Sequence, residues 1–248
     1  MRHITRASVF LLAGMIASPA MAGTKVGGFD ISSNVALASN YVSRGITNSD
    51  KHPAVQGGMT VSHSTGVYAT VWASSADFQA ANNANIEFDV SGGLAHEFAN
   101  GFKFDLGMIH YAYPGVAADQ KLDYNEYYIS AGKKFGIVGL NAKYSYSDDF
   151  GGTNAADPNK KSAYYLEGAA TVDLPQEVVL AVHLGHTAGE HFEGTGLPKN
   201  YDDYSVGVSK EMLGFGVDLS LYGTDRNGRR LNGANSDEQL VLKVNKNF

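Results

Sequence analysis

The stretch Val138-Gly139-Leu140-Asn141-Ala142-Lys143-Tyr144-Ser145-Tyr146-Ser147 decides the class of this chain. Apolar residues alternate in it with polar or small ones. A period of two sends the two sets to opposite faces of an extended backbone, so the segment is a strand with one apolar and one polar face. The pattern continues outward in both directions. Upstream, Ile86, Phe88 and Val90 interleave with Glu87, Asp89 and Ser91, and Phe102, Phe104, Leu106 and Met108 with Lys103, Asp105 and Gly107. Downstream, Tyr164, Leu166, Gly168, Ala170 and Val172 interleave with Tyr165, Glu167, Ala169 and Thr171, and Phe215, Val217, Leu219 and Leu221 with Gly216, Asp218, Ser220 and Tyr222.

About twelve such segments are predicted, near 29–40, 53–63, 66–75, 85–95, 102–112, 124–134, 137–147, 163–173, 177–187, 201–211, 214–224 and 237–247. Each is close to the roughly 9 to 11 residues that a tilted strand needs to cross a bilayer. Their connections alternate in length. His63-Ser64-Thr65-Gly66, the stretch around Asn100-Gly101, Phe135-Gly136, Leu174-Pro175-Gln176 and Leu213-Gly214 are short. The others, 41–52, 76–84, 113–123, 148–162, 188–200 and 225–236, are long and rich in Gly, Asn, Asp and Lys. Short turns on one side and long loops on the other are the anatomy of an outer-membrane barrel. The expected fold is therefore all-β: an antiparallel up-and-down transmembrane β-barrel with both termini on the periplasmic side.

The N-terminus fits export to that membrane. Arg2, His3 and Arg6 precede an apolar run from Ala7 to Ile16, and Ser18-Pro19-Ala20-Met21-Ala22 ends as a cleavage site does. The expectation is a cleaved signal peptide over 1–22 and one barrel domain over 23–248. Loss of Arg2 and Arg6 takes the formal net charge from −6 to −8, and no basic stripe remains for nucleic acid. The chain has no cysteine, so neither a lipid anchor nor disulfides enter the account. At the other end Leu240, Leu242 and Val244 alternate toward Phe248. In outer-membrane proteins generally, such a final strand is the assembly signal. Lys246 departs from it, and a lysine near the interface can snorkel to water. Tyr41, Tyr111, Tyr127, Tyr146, Tyr204 and Phe215 at strand ends are expected in the aromatic girdles.

The non-apolar face is crowded with Gly92, Gly93, Gly107, Gly132, Gly139, Gly185, Gly207 and Gly216. Small residues with a few charges suit a confined polar lumen better than a solvated sheet surface. By parity the candidate pore-lining charges are Glu87, Asp89, Lys103, Asp105, Glu126, Lys143, Glu167, Asp218 and Lys243. They either select solutes by charge or pair internally to stabilise the barrel. Hairpin arithmetic sets Lys143 opposite Glu167 and beside Glu126 or Tyr128. Lys143 is thus expected to bridge Glu126 and Glu167, and the excess of acids to favour cations.

Several segments resemble the TorF family of proteobacterial outer-membrane proteins. They are Ser39-Asn40-Tyr41-Val42-Ser43-Arg44-Gly45-Ile46-Thr47, Pro53-Ala54-Val55-Gln56-Gly57-Gly58, Tyr144-Ser145-Tyr146-Ser147-Asp148-Asp149-Phe150-Gly151, Tyr164-Tyr165-Leu166-Glu167 and Tyr201-Asp202-Asp203-Tyr204. The likeness covers essentially the whole mature chain. It implies a β-barrel with a porin role and carries no catalytic residues.

Arg226, Arg229 and Arg230 in the last long loop, with Arg44 in the first, suit anionic solutes or lipopolysaccharide phosphates, but a solvated loop is the favoured reading. His183 and His186 are three apart on a strand and face opposite sides, so with His191 they form no zinc site. His183 is expected near Ser205, with Asp203 one same-face step away. That is the outline of a triad, without any hydrolase motif around it. The expected function is a narrow polar channel for small solutes, without catalysis, cofactor or metal. Its partners are outer-membrane lipid and lipopolysaccharide, the assembly machinery and the solutes. The alternatives are an outer-membrane hydrolase and a structural or soluble periplasmic binding barrel.

Overall fold

The computed structural model of the chain describes residues 23–78, 84–117, 120–154, 159–193 and 196–248. The expected signal peptide lies outside them. Twelve long strands follow one another: β1 Phe29–Ala38, β2 Ala54–His63, β3 Val67–Ser75, β4 Ile86–Glu97, β5 Phe102–Ala112, β6 Tyr124–Phe135, β7 Val138–Ser147, β8 Ala163–Leu174, β9 Val178–Ala188, β10 Asn200–Met212, β11 Phe215–Thr224 and β12 Gln239–Asn247. Each pairs antiparallel with its neighbours in sequence, and β12 returns to β1, so the sheet closes into an up-and-down barrel. The closing register sets Lys243 opposite Ala38 and Asn247 opposite Asn34. Phe248 extends it by exchanging backbone hydrogen bonds with Ser33. Thr24–Val26 forms a short added strand on β1.

Closure satisfies the backbone donors and acceptors of every strand within the sheet, which a strand in hydrocarbon requires. No helix among the described residues is long and apolar enough to cross a membrane. The connections at one end are a few residues each. At the other end they are L1 (39–53), L2 (76–85), L3 (113–123), L4 (148–162), L5 (189–199) and L6 (225–238). L6 carries helix α1, Arg226–Asn232, which strand periodicity does not announce. Its N-cap is Asp225, whose side chain accepts from the Gly228 amide at 2.8 Å.

The polarity of the barrel is inverted relative to a soluble protein. Leu37, Val55, Phe88, Leu106, Ile129, Leu166, Leu184, Val206, Leu219 and Leu240 are exposed on the outer face. Leu184 is 69% exposed, while the interior Glu126 is 2% exposed. A soluble sandwich or lipocalin-like barrel would bury the first set and solvate the second, so the soluble alternative fails on burial. Tyr127, Tyr146 and Phe215 face outward as girdle residues would, and Tyr204 lies outward on β10. Tyr41 and Tyr111 do not. Both turn into the barrel and donate to carboxylates there, Tyr41 to Glu87 and Tyr111 to Glu126. An aromatic ring at a strand end predicts the interface, but these hydroxyls are drawn to buried acids.

Candidate functional site

Inward side chains are packed most tightly toward the long-loop end. Ala38, Ala54, Ser74, Glu87, Tyr124, Ser147, Ala163, Tyr201 and Thr224 are all buried near that end of their strands. Toward the short-turn end, Asn34, Thr60, Thr70, Ser91 and Asn141 are only half-buried. What fills the long-loop half is L1, which folds into the barrel.

L1 is a small self-bonded hairpin. Val42–Ser43 pairs with Ile46–Thr47, and the Asn48 amide donates to the Tyr41 carbonyl at 2.7 Å. The Asn40 carboxamide accepts from the Thr47 and Ser49 hydroxyls at 2.6 and 2.9 Å, which ties the two legs together. The tip, Arg44-Gly45, takes positive φ at both residues. A side chain at Gly45 would start 2.6 Å from Thr224 Cγ2 and 2.9 Å from Asp203 Cβ, so glycine lets the tip press against β10 and β11.

From this hairpin, side chains reach walls around the bore. Asn40 donates to Gln239 on β12, and Val42 packs on Ala38 and Val241. Tyr41 Oη donates to Glu87 Oε1 at 2.8 Å and lies edge-on to Trp72 on β3, with ring centroids 5.5 Å apart. Burial first, and then the Glu87 and Asp89 carboxylates, push the Tyr41 phenol well above its ordinary pKa, so it remains a donor. Arg44 reaches furthest. Its Nη2 donates to both oxygens of Glu126 on β6, at 2.5 and 2.8 Å. Its guanidinium carbon lies 4.4 Å from the Tyr165 ring centre on β8 and 5.5 Å from that of Phe150 in L4.

Beneath the tip is a second set of charges. Lys143 Nζ lies 3.8 Å from Glu167 Oε1 and 4.6 Å from the Tyr128 ring centre. His183 Nε2 is 3.1 Å from Glu167 Oε2, and its Nδ1 is 3.5 Å from Asp203 Oδ1. The Tyr165 hydroxyl donates to that same Asp203 oxygen at 3.2 Å. Glu167, Gly185 and Asp203 fall in one row across β8, β9 and β10, and the missing side chain at Gly185 makes room for Tyr165 and Asp203. Further round, Tyr68 donates to Asp105 at 2.9 Å and bonds Tyr128, Lys103 pairs with Glu97 at 3.4 Å, and Asp218 stands opposite Lys243. Asp89 has Trp72 and Tyr111 as its cross-strand neighbours, and its buried Oδ1 has no hydrogen-bond partner among the described residues.

All nine pore-lining candidates thus lie on the inward face. One expected contact does not form. Phe135 pairs with Val138 across a turn of two residues, which sets Lys143 opposite Ser130 rather than beside Glu126. Glu126 is claimed instead by Arg44, whose place in a loop predicts a solvated charge. A buried carboxylate recruits whichever cation reaches it, and the L1 hairpin brings one across the lumen. The other loop arginines behave as expected: Arg229 donates to the Thr224 carbonyl at 2.9 Å, and Arg230 is exposed. His186 faces outward, 2.6 Å from Asp202, opposite in direction to His183. Ser205 stands across from His183 in register, but the His183 nitrogens are taken up by Glu167, Tyr165 and Asp203. The triad therefore does not assemble. Leu240, Leu242, Val244 and Phe248 are outward, and Lys246 bends to the Gly214 carbonyl at 2.6 Å. Asp50, His52 and Asp77 gather at the mouth of L1 and L2, a grouping that sequence spacing does not reveal because Asp77 is remote.

No curated protein matches the chain. Solved structures do match it in fold. The NanC porin superposes with a TM-score of 0.57 at 12% identity, over 86% of this chain and 97% of its own. The KdgM porin, solved with disordered oligogalacturonate, gives 0.55 at 9% identity, over 88% and 97%. An outer-membrane channel from Pseudomonas putida F1 gives 0.54 at 12%, over 94% and 100%. At such identities the likeness speaks for the barrel architecture alone. The sequence profile of one family spans residues 22–248, and by that match the chain belongs to the bacterial family of unknown function called Gcw_chp.

Proposed function

We propose that the chain is a porin-type channel of the Gram-negative outer membrane, of the TorF kind, which passes small solutes through a polar lumen without catalysis. The observation that carries this reading is the inverted polarity: an apolar outer belt around an interior of buried acids, lysines, hydroxyls and amides. Barrels of like architecture include two porins and a channel. Residues 1–22 act as the export signal in this reading. Lipid and lipopolysaccharide surround the belt, and the strand ending in Phe248 addresses the assembly machinery.

The interior also bears on what passes. Glu87, Asp89, Asp105, Glu126, Glu167, Asp203 and Asp218 face Arg44, Lys143 and Lys243, with Lys103 near the short-turn rim. Acids outnumber bases, so the path favours cations. A hydrolase reading has less support, since His183 is locked between two carboxylates. Swelling of proteoliposomes in small neutral and cationic solutes tests the proposal. Swelling above that of protein-free vesicles supports it. Vesicles that stay osmotically tight with correctly folded protein contradict it.

A further inference from the structure

We infer that L1 is a strap that closes the outer half of the pore and moves as one piece, with Arg44 as its latch. The inference rests on the channel reading. Three features of the molecule lead to it.

First, L1 holds its own shape. The Val42–Thr47 hairpin and the Asn40, Thr47 and Ser49 bonds are internal to the loop, so it can leave the wall without unfolding. Second, its hold on the barrel is largely through polar side chains. It adds no strand to the wall. Its attachments include Arg44 to Glu126, Tyr165 and Phe150, Tyr41 and Asn48 to Glu87, Asn40 to Gln239, Lys51 to Asp237 and His52 to Asp77, with backbone bonds from the Asp77 amide to the Asn48 carbonyl and, at its root, from the Ser39 amide to the Leu242 carbonyl. The apolar anchor is small, Val42 against Ala38 and Val241. Water and ions can replace contacts of this kind, whereas they cannot replace a packed apolar core.

Third, closure has an electrostatic cost. With the strap in place, Glu87 is 2% exposed and accepts from the neutral donors Tyr41 and Asn48, and Asp89 keeps a buried oxygen without a hydrogen-bond partner among the described residues. Withdrawal of L1 returns water to both carboxylates. The ion pair and ring contact of Arg44 oppose that gain, so this one side chain sets the balance between closed and open. In the open form the β4 and β6 walls present Glu87, Asp89 and Glu126 together, which is where a cation would be drawn.

The chain has no cysteine, so a single introduced pair can lock the strap. Gly45→Cys with Thr224→Cys joins the tip to β11, where the two positions already touch. Single-channel conductance is measured in planar bilayers with the pair oxidised by oxidised dithiothreitol and again after reduction. Arg44→Ala and Glu126→Gln, which leave Gly45 at the tip, are measured beside it. The expected result is severalfold lower conductance when oxidised, recovery on reduction, and conductance above that of the unaltered protein in Arg44→Ala and Glu126→Gln. Equal conductance in the oxidised and reduced pair, with Arg44→Ala and Glu126→Gln like the unaltered protein, overturns the strap and leaves the channel standing. Silence of every form, reduced and latch-free included, overturns the channel reading itself.

Discussion

Arg44 and Glu126, 82 positions apart in sequence, are joined across the lumen by one guanidinium nitrogen that donates to both carboxylate oxygens. Glu126 is 2% exposed and Arg44 14%. This pair is the main charged link between L1 and the strand wall. Its two halves are therefore not equivalent to substitute.

Arg44→Ala removes the cation from a carboxylate that is buried while L1 is seated, a loss of up to about 3 kcal/mol, less whatever opening of L1 recovers by hydrating Glu126. Glu126→Gln keeps a hydrogen-bonding side chain against the arginine and costs less. The double variant recovers part of the Arg44→Ala loss. Urea midpoints of the folded barrel in detergent micelles measure the three. Simple additivity of the two single losses contradicts a coupled pair.

Gly185→Ala tests the crowding of the inner wall. A methyl group there meets the Tyr165 hydroxyl and the Asp203 carboxylate inside van der Waals distance. The expected loss is about 1 to 3 kcal/mol, the range for overpacking. The same change at Gly101, whose side-chain direction is open, controls for composition alone, although its positive φ adds local strain. Heat-induced loss of the fast-migrating folded form on gels compares them. A Gly185→Ala barrel as heat-resistant as the unaltered one argues against a filled lumen at that level.

Ion selectivity follows from the excess of inward acids. Under a potassium chloride gradient the reversal potential takes the sign of cation preference. Asp89→Asn with Glu87→Gln moves it toward zero, since both side chains lie on the same face of β4 two residues apart. Anion preference in the unaltered protein contradicts the charge reading.

Orientation follows from loop length. A cysteine at Asn232, in L6, is expected to react with an impermeant thiol reagent on intact cells. Cysteines at Ser64 and Pro175, in short turns, are expected to react only after the outer membrane is opened. The reverse pattern inverts the barrel.

The strands were legible because lipid imposes a simple rule on them. A wall with hydrocarbon outside and a polar bore inside must alternate, so Ile86 through Ser91 or Val138 through Ser147 state their faces outright. The Lys143–Glu167 pairing was legible for the same reason: parity fixes the face, and strand ends that pair beneath a long loop fix the register. The contact with Glu126 was not. Turn geometry at 136–137 displaces the register by a few residues, and single-residue registers depend on turn type. L1 was less legible still. Val42 to Thr47 is too short to show a period, and its seat inside the barrel comes from acids supplied by β4 and β6, which are distant in sequence. Arg44 read as a loop charge because a lone arginine between polar residues carries no mark of its destination. Helix α1 was hidden likewise, by its seven-residue length and by Gly228 inside it, which lowers its propensity.

The most direct measurement of the central claim is the current through single molecules of the purified protein in a planar bilayer. The account predicts discrete steps of small, uniform conductance with cation preference, raised by Arg44→Ala. Folded protein that inserts into the bilayer and yields no steps, with or without Arg44, contradicts it.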